Sequence, residues 1–384
     1  MSVAWFVTRL PSARLPKWRV TGSSLKLSKD EVVLSSGVAA WSDPSVVEIN
    51  RLPMRPALVT SQSLEATRAG RAARRLELDG VWRFKLLTSP LKVREGDLRA
   101  RSSALGKAWK KVAVPGNWTL QDVGDYPHYT NIDMPFGGPP PRLPEHNPTG
   151  VYRRSFTMPA SWKQYRVVLH LGAADSVHVV YVNKKLVGYG TDNRLASEYD
   201  ISRFVQRGNN ELAIVVVRYS AQSYVEDQDQ WWMAGLHRSV FIEARSRCHL
   251  RSISCTSDFD PDSRLGIASV EVDVAFNNQP RSGVSVQAWF EELTGKRVTQ
   301  PVMQVIPHDF TQRYGFVGHK AVFRMEVPHA RPWSAEDPHR YRLVVKLLGD
   351  EREFTSLVTG FRRIRVEHGE VRINGKKITI RGVN

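Results

Sequence analysis

Residues 76–86 read Leu76-Glu-Leu-Asp-Gly-Val-Trp-Arg-Phe-Lys-Leu86. Apolar side chains occupy alternate positions of this stretch, interrupted only by Gly80, and mostly charged side chains lie between them. A period of two residues predicts a β-strand with one buried and one solvent-facing side. We therefore expect a β-domain to begin at Leu76.

Similar apolar runs recur along the next 160 or so residues, about as often as strands do in an all-β domain. They are Trp109–Val114, Val151–Phe156, Tyr165–Leu171, Ser176–Val182, Leu186–Tyr189, Leu212–Tyr219 and His237–Ala244. Polar turns separate them, and a long proline-rich loop lies between Tyr126 and Gly150. Eight or so strands with little helical periodicity predict a jelly-roll β-sandwich over residues 76–246.

The composition changes at Arg245-Ser-Arg247, and a second set of short alternating strands follows. Its members are Leu250–Cys255, Ile267–Phe276, Val284–Phe290, Ala321–Val327, Tyr341–Leu347 and Glu353–Thr359. Their regular spacing predicts an immunoglobulin-like β-sandwich over residues 247–361, without the Cys…Trp…Cys arrangement of antibody domains. The predicted fold class is thus all-β, with two successive sandwiches.

Three further segments have their own character. Residues 1–45 are basic, show no sustained period and predict an irregular leader. Residues 46–75 mix prolines with apolar anchors, which favours an extended arm lying on another surface. Residues 362–384 contain a strand, an Asn374-Gly375 hairpin turn and a second strand. Because that strand is apolar and uncapped, we expect the chain to be a piece of a longer protein.

Composition narrows the function classes. The 384 residues carry a formal charge of +17, yet the basic residues are scattered and no nucleic-acid-binding motif accompanies them. We therefore expect no specific nucleic-acid binding. No apolar run approaches the ~20 residues that span a bilayer, so no membrane partner is expected. Two cysteines in so long a chain, Cys248 and Cys255, suit a reducing compartment, and we expect a cytoplasmic protein with both thiols structural.

One stretch combines residue types that are suited to ligand binding: Glu226-Asp-Gln-Asp-Gln-Trp-Trp-Met-Ala-Gly-Leu-His-Arg238. Carboxylates accept hydrogen bonds from hydroxyl groups, and the flat faces of indole rings stack on the C–H faces of sugars. The combination indicates a carbohydrate site. The same residue types also suit an edge loop with buried aromatic rings and solvated acids.

Several motifs together resemble the multi-domain, bacterial-type β-galactosidases of glycoside hydrolase family 2. The resemblance runs from about Trp41 to Asn384, in the order and spacing of that family. The motifs are Val114-Pro-Gly-Asn-Trp118, Tyr129-Thr-Asn-Ile, Asn147-Pro-Thr-Gly-Val-Tyr-Arg153, Glu226-Asp-Gln-Asp-Gln-Trp, Gly235-Leu-His-Arg238, Trp333-Ser-Ala-Glu-Asp-Pro338, Gly360-Phe-Arg362 and Arg381-Gly-Val-Asn384.

The resemblance implies a sugar-binding jelly roll, an immunoglobulin-like domain and, in residues 362–384, the first strands leading into a TIM barrel. Asn131 is similar to the asparagine that binds galactosyl hydroxyls. Asp229 is similar to the aspartate that binds the sugar and helps to hold Na⁺. Glu226 and Asp227 are expected to shape the loop. The substrate implied is a terminal β-D-galactoside of the lactose type, cleaved with retention, and homo-oligomers are common in the family.

The catalytic machinery is the main departure from that family. Retaining hydrolysis uses an acid/base and a nucleophile, two carboxylates about 5–5.5 Å apart. In the family, both lie after the motif that Arg381 begins, as do the acids that bind Mg²⁺. We therefore assign no catalytic residue before Asn384 and expect this chain alone to be inactive. The alternative prediction is a non-catalytic carbohydrate-binding or scaffold subunit that assembles with a separate barrel-bearing chain.

Overall fold

The computed structural model describes residues 39–99, 102, 105–308 and 318–382. The predicted leader lies outside these ranges up to residue 38, as do residues 383–384 of the expected barrel entry. No helix within the described ranges is long and apolar enough to cross a membrane. The two α-helices described there are short, α1 (Leu64–Arg68) and α2 (Glu95–Arg99).

Fifteen strands form the first half of the described chain. They are β1 (Glu48–Ile49), β2 (Arg75–Glu77), β3 (Gly80–Leu87), β4 (Lys110–Val114), β5 (Gly116–Asn117), β6 (His128–Tyr129), β7 (Thr149–Met158), β8 (Arg166–Leu171), β9 (Val177–Val182), β10 (Lys185–Gly190), β11 (Ser197–Asp200), β12 (Gly208–Val217), β13 (Trp231–Trp232), β14 (Gly235–Leu236) and β15 (Val240–Arg245). A seven-stranded sheet has the order β1-β10-β9-β12-β7-β3-β4, and a four-stranded sheet has the order β11-β8-β15-β2. Their facing sides enclose an apolar core that includes Trp82, Phe84, Trp118 and Tyr152.

The stretch 76–86, predicted as one strand, is two strands in different sheets. The chain leaves β2 at Leu78 and enters β3 at Gly80, whose φ of +119° permits the change of direction. The Leu78 N–H donates to the Val240 carbonyl, and the Asp79 carboxylate accepts from the Val240 N–H at 2.8 Å. Alternation survives the crossing because both sheets face one core.

The second half of the chain forms another sandwich. Its strands are β16 (Cys248–Asp260), β17 (Leu265–Phe276), β18 (Ser285–Glu292), β19 (Val302–Val305), β20 (Lys320–Val327), β21 (Tyr341–Leu348) and β22 (Arg352–Thr359). A three-stranded sheet, β16-β17-β20, packs on a four-stranded sheet, β19-β18-β21-β22, around a separate apolar core. The all-β prediction with two sandwiches is confirmed. A three-stranded meander follows: β23 (Ile364–Glu367), β24 (Glu370–Ile373) and β25 (Lys376–Lys377).

The arm, residues 46–75, contacts both sandwiches. Strand β1 extends the edge of the seven-stranded sheet at β10. Ser61 pairs with Phe354 of the second sandwich through two backbone hydrogen bonds of 2.8 Å. Helix α1 places Leu64 against Trp289 and Phe354. The arm therefore fixes the two sandwiches relative to each other.

The two cysteines are free. Cys248 is buried in the second core, and burial raises the pKa of its thiol to about 12. Burial also raises the pKa of Cys255. Both thiols are therefore poor nucleophiles at neutral pH, as expected of structural cysteines.

Candidate functional site

The two stretches singled out from the sequence meet in a short two-stranded ribbon. Strand β6 (His128–Tyr129) pairs antiparallel with β13 (Trp231–Trp232), so that Tyr129 lies opposite Trp231 and His128 lies opposite Trp232. We call this pair the ribbon. It brings together residues about 100 positions apart in the chain.

The register of the ribbon puts both predicted sugar ligands at the same end. Asn131 lies two residues after Tyr129, and Asp229 lies two residues before Trp231, the residue opposite Tyr129. In an antiparallel pair, these positions lie beyond the same cross-strand pair. Asn131 and Asp229 are both exposed there.

Tyr129 links the two strands through its side chain. Its hydroxyl donates a short hydrogen bond to Asp229 Oδ1, and this bond is the main cause of a raised pKa of Tyr129. The Tyr129 and Trp231 ring centroids are 6.0 Å apart, at an angle of 50° between planes. Both rings are substantially exposed, at 49% for Tyr129 and 56% for Trp231. The outer face thus combines an aromatic surface with a carboxylate.

The two tryptophans, treated alike in the sequence analysis, differ in position. Trp232 is partly buried and its ring is nearly parallel to His128, with centroids 6.4 Å apart. It belongs to the inner face of the ribbon. Only Trp231 offers an exposed indole face on which a sugar ring can stack.

The ribbon continues into backbone pairing with the sandwich. Strand β14 (Gly235–Leu236) pairs with β5 (Gly116–Asn117), and the Trp118 N–H donates to the Ala234 carbonyl at 2.8 Å. Gly235 has φ of +144°, and a Cβ there would lie 2.7 Å from the Gly116 carbonyl oxygen. A side chain at 235 would separate these backbones.

Two acids, Asp175 and Glu226, line a small cavity next to the ribbon and could be taken for a catalytic pair. Asp175 Oδ1 accepts from Asn193 Nδ2 at 3.4 Å, and Glu226 Oε2 accepts from the Asn193 N–H at 3.3 Å. Burial raises the pKa of Asp175 to about 7 and also raises that of Glu226. The cavity that both residues line has a volume of about 20 Å³. That space holds about one water molecule and no sugar ring, so these acids support the loop.

Sequence reasoning assigned no role to two residues of this region. The motif that contains Tyr129 does not predict the contact between its hydroxyl and Asp229. Arg218 lies within the predicted strand Leu212–Tyr219 with no role of its own, although an arginine directly after the apolar run Leu212–Val217 is an available signal. Its side chain is 3% exposed and lies beneath the ribbon.

The outer face of the ribbon can bind a polyhydroxylated ligand. An amide provides two donors and an acceptor, a carboxylate accepts from hydroxyls, and an indole covers apolar C–H groups. The Asp229 carboxylate is also the oxygen type that hard cations prefer. Within the described ranges, however, no three His, Cys, Asp or Glu residues gather as metal ligands.

Comparisons with known proteins agree over most of the chain. Residues 76–245 match the family described as glycosyl hydrolases family 2, sugar binding domain, and residues 248–362 match glycosyl hydrolases family 2. A β-galactosidase of Aeromonas hydrophila is 36% identical over 358 residues, covering 90% of this chain and 34% of the relative. One from Psychromonas ingrahamii is 33% identical over 314 residues, covering 80% of this chain and 29% of the relative. The chain thus spans about a third of these curated relatives.

Solved structures show the same fold at lower identity. A Bacteroides uniformis β-glucuronidase superimposes with a TM-score of 0.61 at 21% identity, covering 81% of this chain and 35% of that one. A glycosyl hydrolase family 2 member from Bacteroides cellulosilyticus gives 0.62 at 20% identity, with 80% and 39% covered.

Proposed function

Since this chain belongs to glycoside hydrolase family 2, we propose that its first sandwich forms part of the galactose-binding wall of a β-galactosidase. The observation that carries the proposal is the ribbon, which places Asn131, Asp229 and the exposed ring of Trp231 around one end. The substrate would be a terminal β-D-galactoside, as in lactose. The complete enzyme would cleave it with retention of configuration.

In this proposal, the ribbon orients the sugar and performs no bond cleavage. Asn131 and Asp229 would hydrogen-bond to ring hydroxyls, and Trp231 would stack on the C–H face of the ring. Holding the ring in one orientation lowers the entropic part of the barrier. Na⁺ would bind beside Asp229, where it would compensate the carboxylate charge once water is excluded. We assign no Mg²⁺ ligand to this chain.

The two catalytic carboxylates are not assigned to any of these 384 residues. We therefore propose that the chain by itself does not hydrolyse galactosides, and that a barrel-bearing polypeptide supplies the acid/base and the nucleophile. Whether that barrel is covalently continuous or a separate subunit is tested by the intact mass of the protein isolated from its own source. A mass of 43.5 kDa together with a co-purifying second polypeptide would identify a separate subunit. Homo-oligomerisation of the complete enzyme is part of the same proposal.

The second candidate is a non-catalytic carbohydrate-binding subunit. It is favoured by one observation: each sandwich has its own apolar core, and the arm holds the two together. Such a unit would bind sugar weakly through Trp231 and Asp229. It would have no activity of its own and would assemble with a separate barrel-bearing chain.

The sugar site is tested with methyl β-D-galactoside and saturation-transfer NMR on the 384-residue chain, with and without Na⁺. We expect transfer that Asp229→Asn reduces at least fivefold, about the effect of one lost charged hydrogen bond. Asp227→Asn is the matched control, because it removes the same charge from an exposed position of the same loop. Equal signals from the two variants would overturn the role of Asp229. No transfer to the wild-type chain would overturn its sugar-binding function.

A further inference from the structure

Arg218 lies directly beneath the ribbon and bonds to both of its strands. On the β6 side, its guanidinium donates to Tyr126 O at 3.1 Å and to His128 Nδ1 at 3.0 Å. On the β13 side, it donates to Trp232 O at 3.2 Å. It also forms a short ion pair with Asp125. We propose that Arg218 is the positioning residue of the candidate sugar site, because it ties the strand leading to Asn131 to the strand leading from Asp229.

The ribbon needs such a tie. Its two strands share only two residue pairs, and even a longer isolated hairpin is marginally stable in water. The outer face adds little support, since Tyr129 and Trp231 are about half exposed. Most of the holding contacts must come from the inner face, where Arg218 is the charged group that reaches both strands.

The chemistry of arginine suits this position. The guanidinium divides its contacts between two nitrogens: Nη1 donates to Asp125, and the two N–H groups of Nη2 are shared among Tyr126 O, His128 Nδ1 and Trp232 O. An ammonium would have to make all of these contacts from a single atom. The buried guanidinium charge is balanced by Asp125, whose other oxygen accepts from Trp118 Nε1 at 2.7 Å. Trp118 is fully buried in the core. The path Trp118–Asp125–Arg218 therefore transmits the rigidity of the core to the ribbon.

His128 takes part as an acceptor. Because Arg218 donates to its Nδ1, His128 is neutral in this arrangement. Burial, followed by the charge of Arg218, lowers the pKa of His128 against the opposing effect of Asp125. The ring also faces Tyr219 and stacks on Trp232. The neutral imidazole therefore completes the acceptor set of the guanidinium.

The positioning role concerns the geometry of the ribbon, and its effect on sugar binding rests on the function proposed above. The two are separated by reading ribbon geometry without ligand. The chain is labelled with 5-fluorotryptophan, and the Trp231 resonance is assigned with Trp231→Phe. Amide exchange at Tyr129 and Trp231 is measured alongside. Methyl β-D-galactoside binding is then measured on the same samples.

The test variant is Arg218→Lys, and the matched control is Arg153→Lys. Arg153 is equally buried on strand β7 and pairs with Glu211 and the Asp97 carbonyl, away from the ribbon. Both variants are expected to be less stable than wild type. Only Arg218→Lys should shift or broaden the Trp231 resonance and accelerate ribbon exchange at least tenfold relative to Arg153→Lys.

Unchanged Trp231 and ribbon exchange in folded Arg218→Lys would overturn the proposal. Should Arg218→Lys not fold, Asp125→Asn replaces it: it weakens the pairing of Arg218 and keeps an acceptor for Trp118. The same ribbon effects, smaller in size, are then expected, and their absence counts against the proposal. A ribbon effect together with no galactoside binding by wild type would uphold Arg218 and reject the sugar function.

Discussion

The arm and the ribbon both lie on the outside of the first sandwich, yet they are held in opposite ways. The arm buries a charge against the sandwich: Arg55 forms two 3.0 Å hydrogen bonds with Glu198, and both side chains are 7% exposed. The ribbon turns polar and aromatic groups outward, with Tyr129, Trp231 and Asp229 at the surface. One buried cation, Arg218, holds it from below.

The comparison distinguishes buried charges, which fix the position of a segment, from exposed groups, which can bind a ligand. A buried ion pair tolerates little displacement, because moving one partner leaves the other charged and without water. Exposed groups lose little when they move and remain free to bind a ligand. The arm is built to fix two sandwiches in place. The ribbon combines both principles, with a buried charge for position and an exposed face for binding.

The largest effect should come from breaking the arm network. Although burial alone raises the pKa of Glu198, the hydrogen bond from His170 and the charges of Arg245 and Arg55 lower it below its usual value. Glu198→Gln leaves two arginines short of a partner, and removing one member of a buried pair costs about 3–5 kcal/mol of unfolding free energy. We expect a loss at the lower end of that range, measured by denaturant unfolding at pH 7.

The matched control for that variant is Glu65→Gln, which removes an exposed charge from the arm itself. Its partner is Arg71, and both side chains are more than half exposed, at 87% and 63%. Exposed pairs contribute little, so no measurable change is expected. Similar losses in the two variants would contradict the distinction between buried and exposed charges in the arm.

A smaller effect is expected at Asp175, which differs from Glu198 in its partners. Asp175 accepts from the neutral amide of Asn193, and burial raises its pKa to about 7, from an ordinary value of 3.8. The folded state therefore binds this proton more tightly than the unfolded state. Its contribution to stability is complete below about pH 4 and is lost as the pH rises towards 7. The Glu198 contribution runs the other way and is lost in acid.

Asp175→Asn should remove the loss of stability that deprotonation of Asp175 causes as the pH rises. Unfolding free energies measured at pH 5 and pH 8 should differ less in the variant than in wild type, by about 2.5 kcal/mol at most. Asp227→Asn, an exposed acid of the neighbouring loop, should keep the wild-type difference. An unchanged pH dependence in Asp175→Asn would show that this carboxyl does not titrate between those values.

The sandwich strands and the ribbon differ in how far the sequence predicts them. The sandwich strands follow from alternation, because each strand buries one face in a shared core. The same logic hid the break at Leu78–Gly80, where the chain changes sheets while its apolar side chains keep facing one core. The sequence pattern indicates which side chains are buried, but it does not indicate which of the two sheets a strand belongs to.

The ribbon lies beyond that logic. Its strands are two residues long, too short for any period, and they pair across about 100 residues. Asn131 and Asp229 were assigned by resemblance, and their roles stay predictions. Only the register of the β6–β13 pair shows that these two residues lie at the same end of the ribbon. Arg218 acts through four acceptors scattered over residues 125–232, and no local pattern encodes such a set.

The smallest effect is expected from a variant that changes only the outer face of the ribbon and leaves the contacts of Arg218 intact. Tyr129→Phe removes the hydroxyl that orients Asp229 and leaves the ring beside Trp231. Because the side chain is exposed, stability to denaturant should not change. Affinity for methyl β-D-galactoside should fall about fivefold, since the Asp229 carboxylate is then free to adopt unproductive rotamers.

Tyr126→Phe provides the control, since Tyr126 is also exposed and its hydroxyl donates to Asp122 at 3.3 Å, outside the ribbon. If both phenylalanine variants weaken binding equally, the loss comes from removing any exposed hydroxyl in this region, and Asp229 is not specifically involved. If neither does, Asp229 is oriented by other contacts. Loss in Tyr129→Phe alone, at unchanged stability, would show that the Tyr129 hydroxyl orients Asp229 for binding without contributing to the stability of the fold.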